Sequence, residues 1–509
     1  MLRSQILTGL GKSYYRVVKT INILPDNVFL ELFDFCQIES NTSHSTSFRP
    51  GSCWLILAHV CRRWRQIVLV SPRRLDLTLF CTYGSPVRKN LGSLPPFPII
   101  VDYHTIADFS NPSPYHVDDI IAALEHRDRV RTIKLVVTNS LLAILASVMQ
   151  EPFAALTTLW LSSTSRNAPV VPNAFLSGPA AHLRQIFLEG ISFPTLPTLL
   201  SSASNLVDLQ LRNIPQSGYI SPEVMATSLA PLNRLDTLSI CFKAPTSRLQ
   251  LRSSPVTTRR VIPSLVTFNF HGSRDYLELL LAQLDTPRLR VLDITYFNQL
   301  DFRIPQLSQL ICGMEHLGLS QSQRLHGRIR VSSLGVELDF QEEGRPGSRL
   351  TLRISCKSLD WQILHMAQIL GQSRTMVSNV EHLSINENDL QYDPGWEDSV
   401  DDTDWLELLR PFTAVKMLYG SKQLAAHIAL ALDGVGRETT TDVLPALASL
   451  SLEDQPVTSV EKFLAARQLS GHPVTFVGSG GCEFIFAEVY ILTYVTHDSS
   501  WLRHAQEGD

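Results

Sequence analysis

Most of the features that would assign a chain of 509 residues to a chemistry are missing here. The eight cysteines (36, 53, 61, 81, 241, 312, 356 and 482) form no C-x-x-C pair, which argues against a zinc ribbon or a disulfide framework. Scattered thiols of this kind predict a reduced protein, cytoplasmic and/or nuclear. A net charge of −4 leaves no basic footprint for nucleic acid. No apolar run approaches the ~20 residues that a membrane-spanning helix needs. The fifteen histidines include no H-E-x-x-H, and no serine sits in a G-x-S-x-G turn. Gly434-Val435-Gly436 lacks a third glycine and reads as a helix terminus. Gly478-Ser479-Gly480-Gly481 is followed by Cys482-Glu483 where a phosphate loop needs Lys-Ser/Thr. The expectation is no catalytic residue, no metal, no cofactor, no membrane contact, and a chain that is not an enzyme.

The densest acidic run, Glu397, Asp398, Asp401, Asp402, Asp404 and Glu407, misses the calcium-loop pattern because Val400 stands where an oxygen ligand is required. Carboxylates ahead of Trp405-Leu406 suit a helix start, opposing the macrodipole by ~0.3–1 kcal/mol each. Residues 1–20 are basic (Arg3, Lys12, Arg16, Lys19) with no acid, a short leader rather than a targeting segment.

What is present begins at Leu24. LPDNVFLELFDF (24–35) places Asp26 to cap a helix from about Asn27, with Val28, Leu32 and Phe35 at helical spacing and Phe29 and Phe33 widening the face. A Ser/Thr-rich loop covers 38–52. WLILAHVCRRWRQIVLVSPRRL (54–75) then predicts one helix carrying Trp54, Cys61, Trp64 and Val68, stopped by Ser71-Pro72. Arginines 62, 63, 65, 73 and 74 read as surface and partner-rim charge. The ordered combination of LP, helix, VCRRWR and SPRRL resembles the F-box family, and with LDLTLF and LPPFPIIVDY it is similar to the large group of fungal (basidiomycete) F-box proteins. Its 38–52 loop is longer than a compact F-box has there. The resemblance implies a Skp-type adaptor as partner, and through it a cullin–RING ligase. It implies that Leu24, Pro25, Val28, Leu32, Val60, Cys61 and Trp64 form the adaptor-binding set, Trp64 by internal packing.

Beyond residue 76 one phrase, apolar-x-x-apolar-x-apolar, keeps returning. It stands at Val130-Ile133-Leu135, Leu156-Leu159-Leu161, Leu183-Ile186-Leu188, Leu206-Leu209-Leu211, Leu235-Leu238-Ile240, Leu265-Phe268-Phe270, Leu289-Leu292-Ile294 and Met314-Leu317-Leu319. Successive starts are 26, 27, 23, 29, 30, 24 and 25 residues apart, a repeat interval. Later copies are Val380-Leu383-Ile385 and Leu447-Leu450-Leu452, with a damaged one at Val415-Leu418. Helical patterns lie between them at 116–128, 273–284, 360–370 and 459–469, so parallel strands with helical crossovers are expected. The pattern resembles a leucine-rich repeat of irregular form, since the usual asparagine is present only as Asn388. Residues 320–357 interrupt the count and are expected to hold two distorted strands.

The resulting fold class is α/β: an N-terminal helical F-box, then an irregular leucine-rich-repeat solenoid with parallel strands on the concave face and helices on the convex face. The boundaries are a basic segment at 1–20, F-box at 21–75, connecting segment at 76–128, repeat-like domain at 129–478 and an off-pattern tail at 479–509. That tail either caps the stack or is an extension foreign to it. Residues between the inward leucines face the concave side, which gives Trp160, Phe187, Gln210, Arg212, Asn269, His271 and Asp293 as target-binding candidates. Trp160 and Phe187 are either binding anchors or covered by another segment. The function expected is a substrate-recognition subunit of an SCF-type E3 ubiquitin ligase with an unknown protein substrate. A non-degradative F-box scaffold and an α/β enzyme with a coincidental helical pair stand as alternatives.

Overall fold

In the apolar-x-x-apolar-x-apolar phrase the last two apolar positions are two residues apart, so in an extended chain they share one face of the pleat. Every described copy forms a strand there. The first apolar residue is buried in a turn just before the strand: the N–H groups of Leu156, Leu183, Leu206, Leu235, Leu289 and Leu447 each donate to the carbonyl three residues back. A computed structural model describes residues 24–33, 53–71, 78–82, 87–104, 114–163, 165, 167–245, 259–299, 302–313, 325–342, 349–356, 358–373, 377–387, 401–434 and 442–477. The chain divides into two units, Met1–Thr195 and Leu196–Asp509.

In the first unit, strands β1 (Leu79–Thr82), β2 (Ile99–His104), β3 (Val130–Val137), β4 (Thr158–Ser163) and β5 (Gln185–Glu189) pair in that order, all parallel. The segment expected to be connecting, 76–128, thus contributes two strands to this sheet. Helices Val87–Ser93, Pro114–Leu124 and Asn139–Val148 fall between the strands.

In the second unit, β6 (Asp208–Ile214), β7 (Thr237–Phe242), β9 (Thr267–Gly272) and β11 (Val291–Tyr296) run parallel, while the two-residue β8 (Arg260–Val261) and β10 (Leu284–Asp285) pair with each other. Within 320–357 the described residues form a regular antiparallel meander of three strands, not two distorted ones: β12 (Leu325–Ser332), β13 (Gly335–Glu342) and β14 (Arg349–Ser355). Strict alternation of buried and half-buried side chains in β12 makes it a full strand. The spatial order is β11-β14-β13-β12-β15, with β14 parallel to β11 and β12 parallel to β15 (Val380–Glu387). Parallel pairing resumes through β16 (Met417–Gly420), β17 (Ser449–Leu452) and β18 (Thr475–Val477). The β12–β13 turn has only Ser333 and Leu334 at its tip. A Cβ on Gly335 would sit 2.2 Å from the Ile354 carbonyl oxygen, so only glycine lets β14 approach.

Strands such as β9 and β11 bury every second residue, so one face of the sheet is packed and the other is open. A doubly wound sheet, with helices on both faces, would bury both sets. The helices are also tied to neighbouring repeats by side chains that accept their free first-turn N–H groups. Glu278 accepts from Gln306 and Leu307 (2.7 and 3.1 Å) at the start of helix Pro305–Gly313, and Asp433 accepts from Lys462 (2.9 Å) at the start of Glu461–Leu469. Gln372 accepts from the Ile304 N–H at 2.9 Å and donates to the Phe302 carbonyl at 2.8 Å. These contacts link successive turns where the regular repeat uses asparagine; Asn388 lies outside the described residues, as do the Met314 copy, the 1–20 segment and the 479–509 tail. Asp401 caps helix Asp402–Leu409 through the Thr403 N–H (3.1 Å), placing the described part of the acidic run at a helix start.

Candidate interaction surfaces

The sequence around Leu24 folds as three helices, α1 (26–33), α2 (Cys53–Val60) and α3 (Arg62–Val70). The single helix expected over 54–70 is broken at Cys61, whose backbone is extended (φ −156°, ψ 171°) and whose Sγ accepts the Trp64 N–H at 3.5 Å. Cys61 is therefore a helix N-cap. Asp26 is not the cap expected of it: the N–H groups of Val28 and Phe29 bond the Pro25 carbonyl, and the Asp26 carboxylate pairs with Arg63 at 2.7 Å. Arg63 also donates to the Leu24 carbonyl (2.6 Å) and lies 5.0 Å over the Phe29 ring, joining α3 to the start of α1.

The core of this helical group is aromatic. Trp64 meets Phe29 and Phe33 with ring centroids 5.5 and 5.0 Å away. Phe29 and Phe33 are buried, whereas Leu32 and Val60 are 49% and 57% exposed. Pro25 is exposed, and Leu24, Val28, Cys61 and Trp64 are half-buried. An apolar helix face normally goes inward; here the ring cluster fills the interior while Leu32 and Val60 remain outside. Arg65 bonds the Ala58 carbonyl at 3.0 Å, while Arg73 and Arg74 lie outside the described residues.

On the open face of the first unit, Lys134, Trp160 and Phe187 lie side by side in one row of β3, β4 and β5. Trp160 is 37% exposed and stacks on Phe187 at 3.8 Å with 20° between the planes. Phe187 itself is only 7% exposed, so of the two expected anchors Trp160 presents a surface and Phe187 supports it.

The open face of the second unit is polar and charged. Gln210, Asn269 and Asp293 share one row and His271 lies in the next, while Arg212 stands at an irregularity in the β6–β7 pairing. Gln210 donates to the Asp208 carboxylate at 3.1–3.2 Å. Burial, with the Arg353 charge pushing the same way, lowers the His271 pKa to about 4, so its ring is neutral at pH 7; it lies 4.7 Å from Phe297. Burial raises the thiol of neighbouring Cys241, leaving a weak nucleophile.

Asp293 is not a solitary acid. Arg353 spans from Asp293 (2.9 Å) to Glu337 (2.9 Å), and Glu337 also binds Arg330. Asp339 receives Arg349 through both oxygens (2.9 and 3.2 Å), Thr351 at 3.3 Å and the edge of Arg330 at 3.6 Å. Burial opposes ionisation of Glu337, but the two arginines outweigh it and hold its carboxyl below the usual range. Arg353 is held above its ordinary value by the same partners, against its own desolvation. None of these residues except Asp293 was expected at a site. A signal was present, because outward positions are basic in β12 (Arg328, Arg330), acidic in β13 (Glu337, Asp339) and basic in β14 (Arg349, Arg353), a cross-strand complement.

Among the described residues no group of three or more His, Cys, Asp or Glu is placed to hold a metal, and no helix is long and apolar enough to cross a membrane.

No protein-family model matches this chain, and no curated protein matches it. Among solved structures it is similar to the leucine-rich repeat-containing protein LegL7 from Legionella pneumophila, at 12% identity over 78% of this chain and 99% of that one, with a TM-score of 0.25. A superposition that loose carries no argument, and the architecture rests on the strand order and register given above.

Proposed function

We propose that this chain is the substrate-recognition subunit of an SCF-type cullin–RING E3 ubiquitin ligase. Helices α1–α3 bind a Skp-type adaptor through Leu24, Pro25, Val28, Leu32 and Val60, and the open sheet faces hold a protein target. The observation that carries this reading is the exposure of aliphatic motif residues on a helical group whose interior is already filled by Phe29, Phe33 and Trp64. Large aliphatic side chains left exposed on a small helical group are candidate partner contacts. The subunit carries out no bond chemistry. It raises the effective concentration of a target lysine near a ubiquitin-charged enzyme by holding both on one assembly.

Co-expression of the full-length chain with a Skp-type adaptor tests it. The adaptor co-purifies with the wild-type chain and is lost from the Leu24→Ala/Pro25→Ala double variant and from Leu32→Glu. Failure of the wild-type chain to retain the adaptor overturns the reading. Retention without ubiquitin transfer to any bound protein replaces it with a non-degradative scaffold.

A further inference from the structure

Among the described residues, the charged patch on and beside the meander is one carboxylate short. Four arginines (328, 330, 349, 353) face three acids (Asp293, Glu337, Asp339), and the described ion pairs and hydrogen bonds use three of the four. Arg328 is the one left over. It stands directly across from Asp339 in the β12–β13 register, but both Asp339 oxygens are engaged by Arg349, with Thr351 and Arg330 completing the shell. On its other side β15 offers neutral Ser384, with Asn386 one row on. Arg328 is half-buried in this row, so its guanidinium is partly stripped of water, and no ion pair or hydrogen bond meets its charge among the described residues.

We propose that Arg328 anchors an aspartate or glutamate side chain of the protein that docks on this face. The proposal rests on the reading of the open face as a protein-binding surface, and it adds the chemistry of one contact. Charge complementarity selects the occupant. The described residues of the patch carry one excess positive charge, which a carboxylate neutralises, and the planar guanidinium fork fits a carboxylate with two parallel hydrogen bonds. A phosphate dianion would bring a second negative charge beside Asp339 and Glu337, whose arginines are already committed.

Panning a display library of random peptides against the immobilised full-length chain tests this, followed by affinity measurements on the selected peptides. The expected result is enrichment of Asp or Glu at one fixed position. Replacing that residue by Gln, or Arg328→Gln in the chain, weakens binding about tenfold or more. The two changes together cost no more than either alone, and Arg288→Gln, at an exposed arginine elsewhere in this unit, leaves affinity unaltered. Phosphoserine at the fixed position binds more weakly than glutamate. Selected peptides that lack an acidic position, tolerate Arg328→Gln, or gain affinity from phosphoserine overturn the anchor while leaving the docking surface standing. A library that yields no binding peptide overturns the docking surface and the anchor with it.

Discussion

The open faces of the two units solve the same problem with different chemistry. Each sheet leaves one side uncovered by helices, and a bare β surface must be made stable in water. The first unit stacks Trp160 on Phe187, so half of an apolar pair shields the other half. The second lays basic, acidic and basic strands side by side and neutralises nearly every charge in place. The aromatic solution rests on area removed from water and is insensitive to salt. The ionic one depends on Coulomb attraction between partly desolvated groups, so salt and acid weaken it.

The largest effect that separates the two is expected from Phe187→Ala, which removes a buried ring and leaves a hole beneath Trp160. It should cost about 3–5 kcal/mol, read as lost hydrogen-exchange protection in β4 and β5 with β12–β14 unchanged. Glu337→Gln is the counterpart in the second unit. It leaves Arg330 and Arg353 facing a neutral amide and should cost about 3 kcal/mol, with protection lost in the meander alone. In 1 M salt the Glu337→Gln deficit should shrink while the Phe187→Ala deficit holds. Equal salt dependence for both variants would erase the distinction.

Acid should weaken the second unit selectively. The His271 pKa of about 4 lies below its ordinary 6.5, so between those values the unfolded chain binds a proton that the folded chain refuses. Its contribution is complete above 6.5 and declines as pH falls toward 4, by about 3 kcal/mol. Glu337, held below the usual range, acts in the same direction at still lower pH. Denaturant midpoints of wild type and His271→Asn between pH 7 and pH 4.5 should converge as the medium acidifies. The smallest effect is expected from Trp160→Ala, about 1 kcal/mol for an exposed ring whose value is mainly its stacking. A cost as large as that of Phe187→Ala would mean that Trp160 is structural rather than presented.

Where the chain repeats itself, the fold could be read in advance, because a buried face written as two apolar residues flanking one outward residue has few other realisations. The strands at 79–82 and 99–104 escaped because Leu79-Cys81 and Ile99-Val101 lack the leading leucine that marks the other copies. The meander is hidden for the opposite reason: the strict two-residue alternation of HGRIRVS and GVELDFQE does not fit the longer period that surrounds it. The helix break at Cys61 was hidden by apolar spacing that runs unbroken across it. Strand positions were legible in the alternation, which puts Gln210, Asn269, His271 and Asp293 in adjacent rows of the second unit's sheet. Their partners were not. Asp293 and Arg353 are 60 residues apart, and only the register of β11 against β14 brings them together.

The meander also sets a parity rule. Two reversals of direction, at β14–β13 and β13–β12, cancel, so the chain re-enters the array at β15 pointing as it did at β11. One strand more or fewer between β11 and β15 would hand every later repeat to the sheet upside down, with its helix start at the wrong end. Growth or trimming of this insert, by evolution or by engineering, is therefore restricted to whole hairpins.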